Sequence, residues 1–375
     1  MKTIGIIGGG QLGRMMTQAA KKMGFAVIVL DPGENSPAGQ VADKQITGSW
    51  NDPEALKKIV AECDVTTYDL EHINTEALIE LADQGHTIHP DPRVLKTIQD
   101  KLTQKSRLKE YGVAVPDFVQ QDEDDTQAFQ DFGFPLVQKT RTGGYDGKGV
   151  LIMKSAADLE KSLPGPCMLE KMVDLDMELG VMVSRSVTGE IVTYPVTEMT
   201  FDDRSNILDL CIVPGRISEE LTVKAKKLAH DTMEAFGGVG IFGVEMFVDK
   251  NGELSVNEVA PRPHNSGHYT IEACVTSQYE QHIRAVAGLP LGSSVQTRPC
   301  VMYNLMGEPG EEGVPLVSGL EEILSLPEVS LHMYGKKETR PFRKMGHITV
   351  TAENIDKAVE VTEKVKSIVK IIAES

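Results

Sequence analysis

The chain has 375 residues, a formal net charge of −17 at pH 7 and 41% hydrophobic residues. A chain of this length exceeds what one hydrophobic core usually supports, so we expect two or three domains. The acidic balance excludes nucleic acid as the main partner, because a phosphate backbone requires a basic surface. We expect no membrane span and no signal peptide. The five cysteines form no Cys-x-x-Cys pair, which suits a reducing cytoplasm and argues against a disulfide scaffold or a zinc site.

The first thirty residues predict a strand, a glycine-rich turn and a helix. Residues 3–9 form an apolar run typical of a buried strand, the turn reads G-x-G-x-x-G from Gly8 to Gly13, and a helix is expected over 13–23. A second strand over 25–30 ends at Asp31, which matches a dinucleotide-binding fingerprint. Similar turns bind many phosphates or are purely structural. An NAD(P) site, a site for a phosphorylated substrate and a structural turn therefore all stay open.

Alternating helices and strands then predict a small doubly wound α/β domain. Glu71 follows its third strand, at the carboxyl edge where such sheets bind ligands. The prolines of Pro90-Asp91-Pro92 mark a boundary, and one amphipathic helix with a mostly solvated lysine face is expected over 94–111. The earlier helices and strands are expected over residues 53–63, 65–68, 75–84 and 87–89.

The segment over 142–149 is a glycine-rich loop between two predicted strands, 135–139 and 150–153. Its four glycines allow backbone N–H groups to converge on a phosphate. Strands on both sides make it a hairpin lid rather than a P-loop, which requires a following helix. Lys139 on the entering strand can reach a phosphate as a point charge. A surface hairpin without a ligand is the alternative for this loop alone.

A further strand is expected over 167–173, and its end places Glu170 beside backbone groups that suit the amino edge of adenine. Glu178 follows a few residues later, where it can reach ribose hydroxyls.

A hairpin then predicts a metal site. Its strands, 243–248 and 254–256, set Glu245 opposite Glu258, with Asn257 beside it. Carboxylate and amide oxygens are the ligands that Mg²⁺ prefers. The alternative is an ordinary hairpin with solvated acids. The remaining strands are expected over residues 179–184, 191–196 and 206–213.

Residues 260–263 form a rigid coil, because both prolines of Ala-Pro-Arg-Pro fix the backbone. The coil carries Arg262 and is followed by further polar residues, so it is expected to hold a ligand. In the tail, the basic segment 340–347 is either a solvated loop or a cationic wall for an anionic substrate. The remaining elements are expected as helices over 217–236, 271–288 and 354–372 and a strand over 301–305.

The order of lid, adenine-edge strand and carboxylate hairpin resembles an ATP-grasp ligase. Four motifs, at 8–15, 141–149, 257–269 and 343–347, resemble those of the 5-(carboxyamino)imidazole ribonucleotide synthetases of purine biosynthesis. This resemblance covers nearly the whole chain. It implies that ATP, bicarbonate and 5-aminoimidazole ribonucleotide are converted to ADP, phosphate and the N-carboxylated nucleotide in a homodimer with Mg²⁺. It also implies a Rossmann-like domain over 1–92, an ATP-grasp domain over 93–296 with a lid subdomain near 115–175, and a small C-terminal domain over 297–375.

The resemblance also assigns residues to ligands. Magnesium would be held by Glu245 and Glu258. Two departures affect the nucleotide site: Lys101 stands where the family usually has Arg, and Phe201 lies near a position usually held by His. Val150 replaces a common Gln. The nucleotide contacts would be Lys101, Lys139, Gly144, Tyr145, Asp146, Gly147, Lys148, Gly149, Val150, Glu170, Lys171, Met172, Val173, Glu178, Asn257 and Glu258.

In the implied mechanism, bicarbonate attacks the γ-phosphate of ATP to give carboxyphosphate, and the substrate amine then captures the carboxyl group. Arg262 would bind bicarbonate, Asp146 and Lys148 would handle protons and lid closure, and Lys344 would complete the catalytic set. The substrate itself would contact Gly10, Gln11, Leu12, Glu71, Tyr145, Arg262, His264, Asn265, Ser266, Arg340 and Lys344.

Three other functions compete with this one. An NAD(P)-dependent oxidoreductase depends on residues 8–31 alone. A regulatory nucleotide-binding protein would not need the acids of the hairpin or Arg262. Another ATP-grasp ligase, which carboxylates a different amine or uses formate, is the nearest alternative.

Overall fold

The computed structural model describes residues 2–122, 127–144, 149–202 and 207–374. Its first sheet is parallel, with the order β3-β2-β1-β4. Val27 and Val29 of β2 pack in one core cluster with helix α1, whereas Ile28 and Leu30 pack in another with α2 and α3. The predicted doubly wound α/β sheet is confirmed. The elements are β1 (Thr3–Ile7), α1 (Gln11–Lys22), β2 (Ala26–Asp31), β3 (Lys44–Thr47), α2 (Pro53–Glu62), β4 (Val65–Tyr68) and α3 (Thr75–Asp83).

Two details of this sheet differ from the prediction. Strand β3 was not predicted, because only Ile46 of its four residues is buried and the local pattern is weak. The strand predicted over 87–89 is reduced to a single parallel bridge between Thr66 and Ile88.

A second, antiparallel sheet carries the lid, with the order β5-β8-β6-β7. The predicted hairpin is confirmed, since β6 and β7 pair with Lys139 opposite Val150. The elements are α4 (Pro92–Gln99), α5 (Lys101–Glu110), β5 (Phe118–Gln121), α6 (Gln127–Phe132), β6 (Leu136–Thr140), β7 (Val150–Met153), a 3₁₀ helix (Ala156–Lys161) and β8 (Cys167–Lys171).

The single helix predicted over 94–111 is wrong, because the chain breaks at Asp100 into α4 and α5. The Asp100 carboxylate accepts hydrogen bonds from the N–H groups of Leu102 and Thr103, at 2.9 and 3.1 Å. Aspartate is a preferred N-cap because it satisfies these otherwise unpaired donors. Arg141 Nε also donates to Asp100 Oδ2, at 3.0 Å. Arg141 lies 41 residues further along the chain, so this contact joins a distant segment to the start of α5.

The third sheet begins with the carboxylate hairpin, formed by β13 and β14, and extends into the C-terminal segment. Its strand order is β14-β13-β9-β11-β12-β15-β18-β17, with β10 paired to β9. No helix within the described ranges has the length and apolar character needed to cross a membrane. The elements are β9 (Leu175–Arg185), β10 (Ile191–Thr193), β11 (Thr197–Phe201), β12 (Leu208–Val213), α7 (Glu219–Phe236), β13 (Gly240–Asp249), β14 (Leu254–Ala260), a 3₁₀ helix (Asn265–Gly267), α8 (Thr270–Ala273), α9 (Gln278–Val286), β15 (Cys300–Met306), β16 (Pro315–Ser318), α10 (Leu320–Leu324), β17 (Val329–Met333), β18 (Lys344–Thr351), α11 (Ile355–Ile368) and β19 (Lys370–Ala373).

Four predicted elements of this part need correction. The strand predicted over 191–196 ends at Thr193 as β10, and β11 begins only at Thr197. The strand predicted over 254–256 continues to Ala260, so Asn257 and Glu258 lie within β14. The helix predicted over 271–288 is divided into α8 and α9, and Ser277 caps the second part. The helix predicted over 354–372 ends at Ile368, because the next residues pair as β19 with β16.

Helix α9 joins the first sheet to the third. Its Ile283 and Val286 pack in one cluster with Met15 and Met16 of α1. His282 on α9 accepts a hydrogen bond at Nδ1 from the Ile241 N–H at 3.1 Å, and its Nε2 lies 2.7 Å from Thr67 Oγ1. Since Nδ1 accepts, Nε2 carries the proton and donates to Thr67. The neutral ring therefore links β13 to β4.

We expect His282 to make stability fall in acid. Burial and the neighbouring His89 lower the pKa of His282 to about 3, whereas an unfolded His titrates near ~6.5. Between these values the unfolded chain binds the proton and the folded chain does not, so stability is lost as pH falls from ~6.5 toward 3, by up to ~1.4 kcal/mol per unit. Denaturant unfolding at pH 6.5 and 4.5 should show a smaller loss for His282→Gln than for the exposed control His230→Gln. Equal losses in the two variants would contradict this role.

Candidate active site

Glu245 on β13 and Glu258 on β14 are direct cross-strand neighbours, which confirms their predicted opposition. The register shifts immediately after this pair, since Met246 faces Val256. Asn257 is therefore the extra residue of a β-bulge, a feature that commonly redirects side chains at functional sites. As a result, Asn257 contacts Lys139 and Glu258 contacts Lys101.

The two carboxylates have different electrostatic surroundings. Burial, together with the charges of Glu258 and Glu178, raises the pKa of Glu245 to about 8. Burial also acts to raise the pKa of Glu258, but Lys101 outweighs it and lowers that pKa. Lys101 Nζ lies 2.9 Å from Glu258 Oε1, and His264 Nε2 lies 3.3 Å from Glu245 Oε1. A divalent cation between the two acids would relieve their repulsion, and their oxygens suit Mg²⁺.

Glu170, at the predicted adenine edge, is a buried carboxylate held by two lysines. Lys139 Nζ lies 2.7 Å from Oε1, and Lys105 Nζ lies 2.6 Å from Oε2. Burial acts to raise the pKa of Glu170, but Lys105 and Lys139 outweigh it and lower the pKa. Burial lowers the pKa of Lys105 to about 8. The prediction of a solvated lysine face is wrong for Lys105, which is 2% exposed. Its spacing of four residues from Lys101, which places both on one helix face, was the available signal.

Lys139 connects the adenine edge to the carboxylate hairpin. Its Nζ also donates to Asn257 Oδ1 at 3.2 Å. Glu178, on β9, pairs with Phe247 of β13, and burial raises the pKa of Glu178 to about 7 against the opposing effect of Lys139. The structure thus brings the predicted nucleotide residues of β6, β8, β9 and β14 to one place.

The lid is described only at its two ends. Gly144 precedes the gap, and Gly149 and Val150 follow it. Gly149 has φ +74° and its position leaves no room for a Cβ, which would lie 2.3 Å from Thr140 Oγ1. The predicted contacts at Tyr145, Asp146, Gly147 and Lys148 lie outside the described residues. After Glu170, β8 ends at Lys171, and Met172 and Val173 follow the strand.

The predicted substrate residues of the coil have different partners, and only Arg262 contacts a residue beside the first sheet. Arg262 Nη2 lies 2.9 Å from Glu71 Oε1, so two residues assigned to the substrate from distant motifs are in contact. Arg262 Nε is buried and makes no hydrogen bond to the described part of the chain. His264 Nδ1 lies 2.9 Å from Ser266 Oγ. Asn265 exchanges two amide hydrogen bonds with Asn304, at 3.0 and 2.7 Å, so its side chain braces the coil.

The first glycine-rich turn is filled by carboxylates of the protein itself. The N–H groups of Gly10 and Gly13 both donate to Asp69 Oδ2 at 3.0 Å, and the Gly9 N–H donates to Asp31 Oδ2 at 2.8 Å. Asp31 therefore binds backbone groups where a dinucleotide site would require a ribose contact. Sequence reasoning missed Asp69, although an acid at the end of β4 beside such a turn was a visible signal.

These contacts limit how the turn can meet a substrate. The side chain of Leu12 packs in the hydrophobic core, so a contact there would have to use its backbone. Gln11 begins α1 and is half-buried.

The basic segment 340–347 places its two predicted residues differently. Arg340 is exposed, whereas Lys344 begins β18, and the charge of Lys344 partly offsets the rise in the pKa of Glu245. Lys344 is thus near enough to Glu245 for its charge to act on that acid.

Three family models match successive parts of the chain. Residues 1–99 match the ribonucleotide synthetase preATP-grasp domain, residues 106–279 match the ATP-grasp domain, and residues 300–361 match the phosphoribosylaminoimidazole carboxylase C-terminal domain.

Individual relatives give the same result. The chain is 45% identical over 368 residues to N5-carboxyaminoimidazole ribonucleotide synthase of Bacillus subtilis, covering 96% of this chain and 94% of that protein. The crystal structure of N5-carboxyaminoimidazole ribonucleotide synthetase from Thermotoga maritima is similar with a TM-score of 0.93 and 53% identity over all of both chains. The Aspergillus clavatus synthase in complex with ADP and 5-aminoimidazole ribonucleotide has a TM-score of 0.89 and 35% identity over 98% of each chain. The chain therefore belongs to the N5-carboxyaminoimidazole ribonucleotide synthase family of ATP-grasp ligases.

Proposed function

We propose that this chain uses ATP and bicarbonate to carboxylate 5-aminoimidazole ribonucleotide in purine biosynthesis, with ADP and phosphate as the other products. The observation that carries the proposal is the position of the carboxylate pair between two groups of residues. On one side, Lys139 and Asn257 connect Glu258 to the adenine edge at Glu170. On the other side, Arg262 contacts Glu71 from the first sheet. A nucleotide and a second anionic substrate can therefore meet at one place.

Magnesium would be held by Glu245 and Glu258. The raised pKa of Glu245 supports this assignment, because burial and two acidic neighbours leave this carboxylate in need of positive charge. A bound Mg²⁺ would neutralise charge on the transferred phosphoryl group. Lys101 already pairs with Glu258 and would support that acid from the side of α5.

The protein's own residues would align and activate the reactants. Lys139 would stabilise the phosphates while a bicarbonate oxygen attacks the γ-phosphate to form carboxyphosphate and ADP. Arg262 suits bicarbonate because its planar fork can bind a carboxylate-like anion through two donors. The exocyclic amine of the ribonucleotide then attacks the carboxyl carbon and phosphate leaves. Asp146 and Lys148 are proposed for proton handling and lid closure from the sequence alone.

The ribonucleotide would lie between the coil and the first sheet. Its phosphate would meet Lys344 and Arg340, and Glu71 would contact its ribose. The backbone near Gln11 is the part of the first turn proposed to contribute, because the Gly10 N–H is already bonded to Asp69. A homodimer acting in the cytoplasm is also proposed; the five free cysteines are compatible with a reducing compartment.

We expect one labelled oxygen atom to pass from bicarbonate into each phosphate released. In the proposed first step a bicarbonate oxygen becomes the bridging atom of carboxyphosphate, and it leaves with the phosphate. Bicarbonate labelled with heavy oxygen, a short reaction time and mass spectrometry of the phosphate would measure this transfer. Reaction times must be short because bicarbonate exchanges oxygen with water through CO₂.

Two controls separate the alternatives. ADP release should require 5-aminoimidazole ribonucleotide for rapid turnover, and formate should not replace bicarbonate. Unlabelled phosphate at confirmed turnover would mean that water attacks ATP, and the bicarbonate role of Arg262 would have to be withdrawn.

A further inference from the structure

The two lysines that bind Glu170 occupy different positions in the site. Lys139 also reaches Asn257 on β14, at the edge proposed for the phosphates. Lys105 is 2% exposed, forms an ion pair with Glu170 Oε2 at 2.6 Å and donates a hydrogen bond to the backbone oxygen of Val256 at 3.1 Å. Both lysines are buried, but only Lys139 also contacts the edge proposed for the phosphates.

Lys105 also joins two sheets. Glu170 belongs to β8 of the lid sheet, whereas Val256 belongs to β14 of the third sheet. Val256 immediately precedes the bulge residue Asn257. A side chain from α5 thus spans the junction between the adenine edge and the carboxylate hairpin, and it contacts both with its charged nitrogen.

Nucleotide binding would change the partners of Lys139 but not those of Lys105. Phosphate oxygens compete with Glu170 Oε1 for Lys139, because both are anionic acceptors. If Lys139 were its only cation, Glu170 would then be left buried without a counter-charge, which is strongly unfavourable. Lys105 on Oε2 prevents this, and its burial and its bond to Val256 keep it from following the ligand.

We infer that Lys105 is a positioning residue for base recognition, which holds Glu170 as a charged acceptor and so releases Lys139 to the phosphates. The inference rests on the proposed function, in which Glu170 lies at the adenine edge. Each carboxylate oxygen has a second lone pair, so Glu170 can still accept a hydrogen bond from the 6-amino group of adenine. Inosine triphosphate, with a carbonyl group at that position, offers an acceptor where Glu170 needs a donor.

The test is the ratio of affinities for ATP and inosine triphosphate in Lys105→Met. Calorimetry should show that ATP binds on the order of tenfold more weakly while inosine triphosphate changes little, so that the preference for ATP falls on the order of tenfold. The KM for ATP should rise more than kcat falls. Lys109→Met, which changes an exposed lysine near the end of the same helix, should leave the ratio unchanged. A purely structural role would lower the melting temperature without altering the ratio, and a folded Lys105→Met with the wild-type ratio would overturn the inference.

A second comparison decides the question even if Lys105→Met does not fold. Glu170→Gln needs no counter-ion, so adding Lys105→Met to it should cause no further loss of ATP affinity. A further tenfold loss in the double variant would overturn the inference, because Lys105 would then act without Glu170. The proposed function is tested separately by wild-type ADP release with 5-aminoimidazole ribonucleotide, so failure of one can be distinguished from failure of the other.

Discussion

Glu258→Gln is expected to reduce ATP-dependent ADP release by roughly 1,000-fold or more, because the proposed magnesium site loses one of its two carboxylates. Glu245 cannot replace the lost carboxylate, since it is itself the other proposed ligand of the ion. The Gln side chain keeps an oxygen that can accept the hydrogen bond from Lys101. The reaction rate should therefore change far more than the local structure.

The fold should survive this substitution, because it relieves the repulsion between two opposed acids and leaves Lys101 with the Gln oxygen as an acceptor. The melting temperature is expected to stay near that of the wild type, and calorimetric titration with Mg²⁺ and ADP should show weaker metal-dependent binding. Glu253→Gln is the matched control, since Glu253 is an exposed acid just before β14. Near-normal turnover in a folded Glu258→Gln enzyme would remove the magnesium assignment.

Arg262→Lys is expected to lower kcat/KM for 5-aminoimidazole ribonucleotide on the order of 100-fold. Lysine keeps the positive charge but cannot hold Glu71 and an anion with one planar fork. The present Arg262 donates to Glu71 at 2.9 Å, and its buried Nε makes no hydrogen bond to the described residues. A bound bicarbonate is the ligand proposed to use this remaining donor.

The control for Arg262 is Arg93→Lys, which changes an exposed arginine paired with Asp83 and Asp91. ATP affinity should be nearly unchanged in Arg262→Lys, because the loss concerns the second substrate. A variant that instead loses ATP affinity and keeps its kcat would place Arg262 at the nucleotide.

The carboxylate hairpin shows how much of the site follows from the sequence. Two short strands around Gly252 set the register locally, and alternation along a strand then determines which residues oppose each other. A regular register would set Glu245 opposite Asn257, and only the bulge moves Glu258 into that position. The local spacing therefore places the two acids close together on facing strands. The lid hairpin was predictable for the same reason, since its glycines and both strands lie within one short segment.

The contacts that complete the site were decided by residues far apart in the chain. Asp100 ends a helix pattern that looks continuous, because it caps α5 and binds Arg141. Lys105 has the sequence pattern of a solvated lysine, yet its charge is satisfied by Glu170 and by the backbone of Val256. The first glycine-rich turn matches a dinucleotide site, yet Asp69 and Asp31 bind its N–H groups.

The sequence by itself thus determined the type of fold, the lid hairpin and the closeness of the two acids, because each depends on the spacing of residues within a hairpin or a strand–helix unit. Only the tertiary structure decided which charges are buried, which donors are already satisfied and where helices end. Those properties depend on the burial and pairing of polar groups between distant segments, and local periodicity carries no information about such partners.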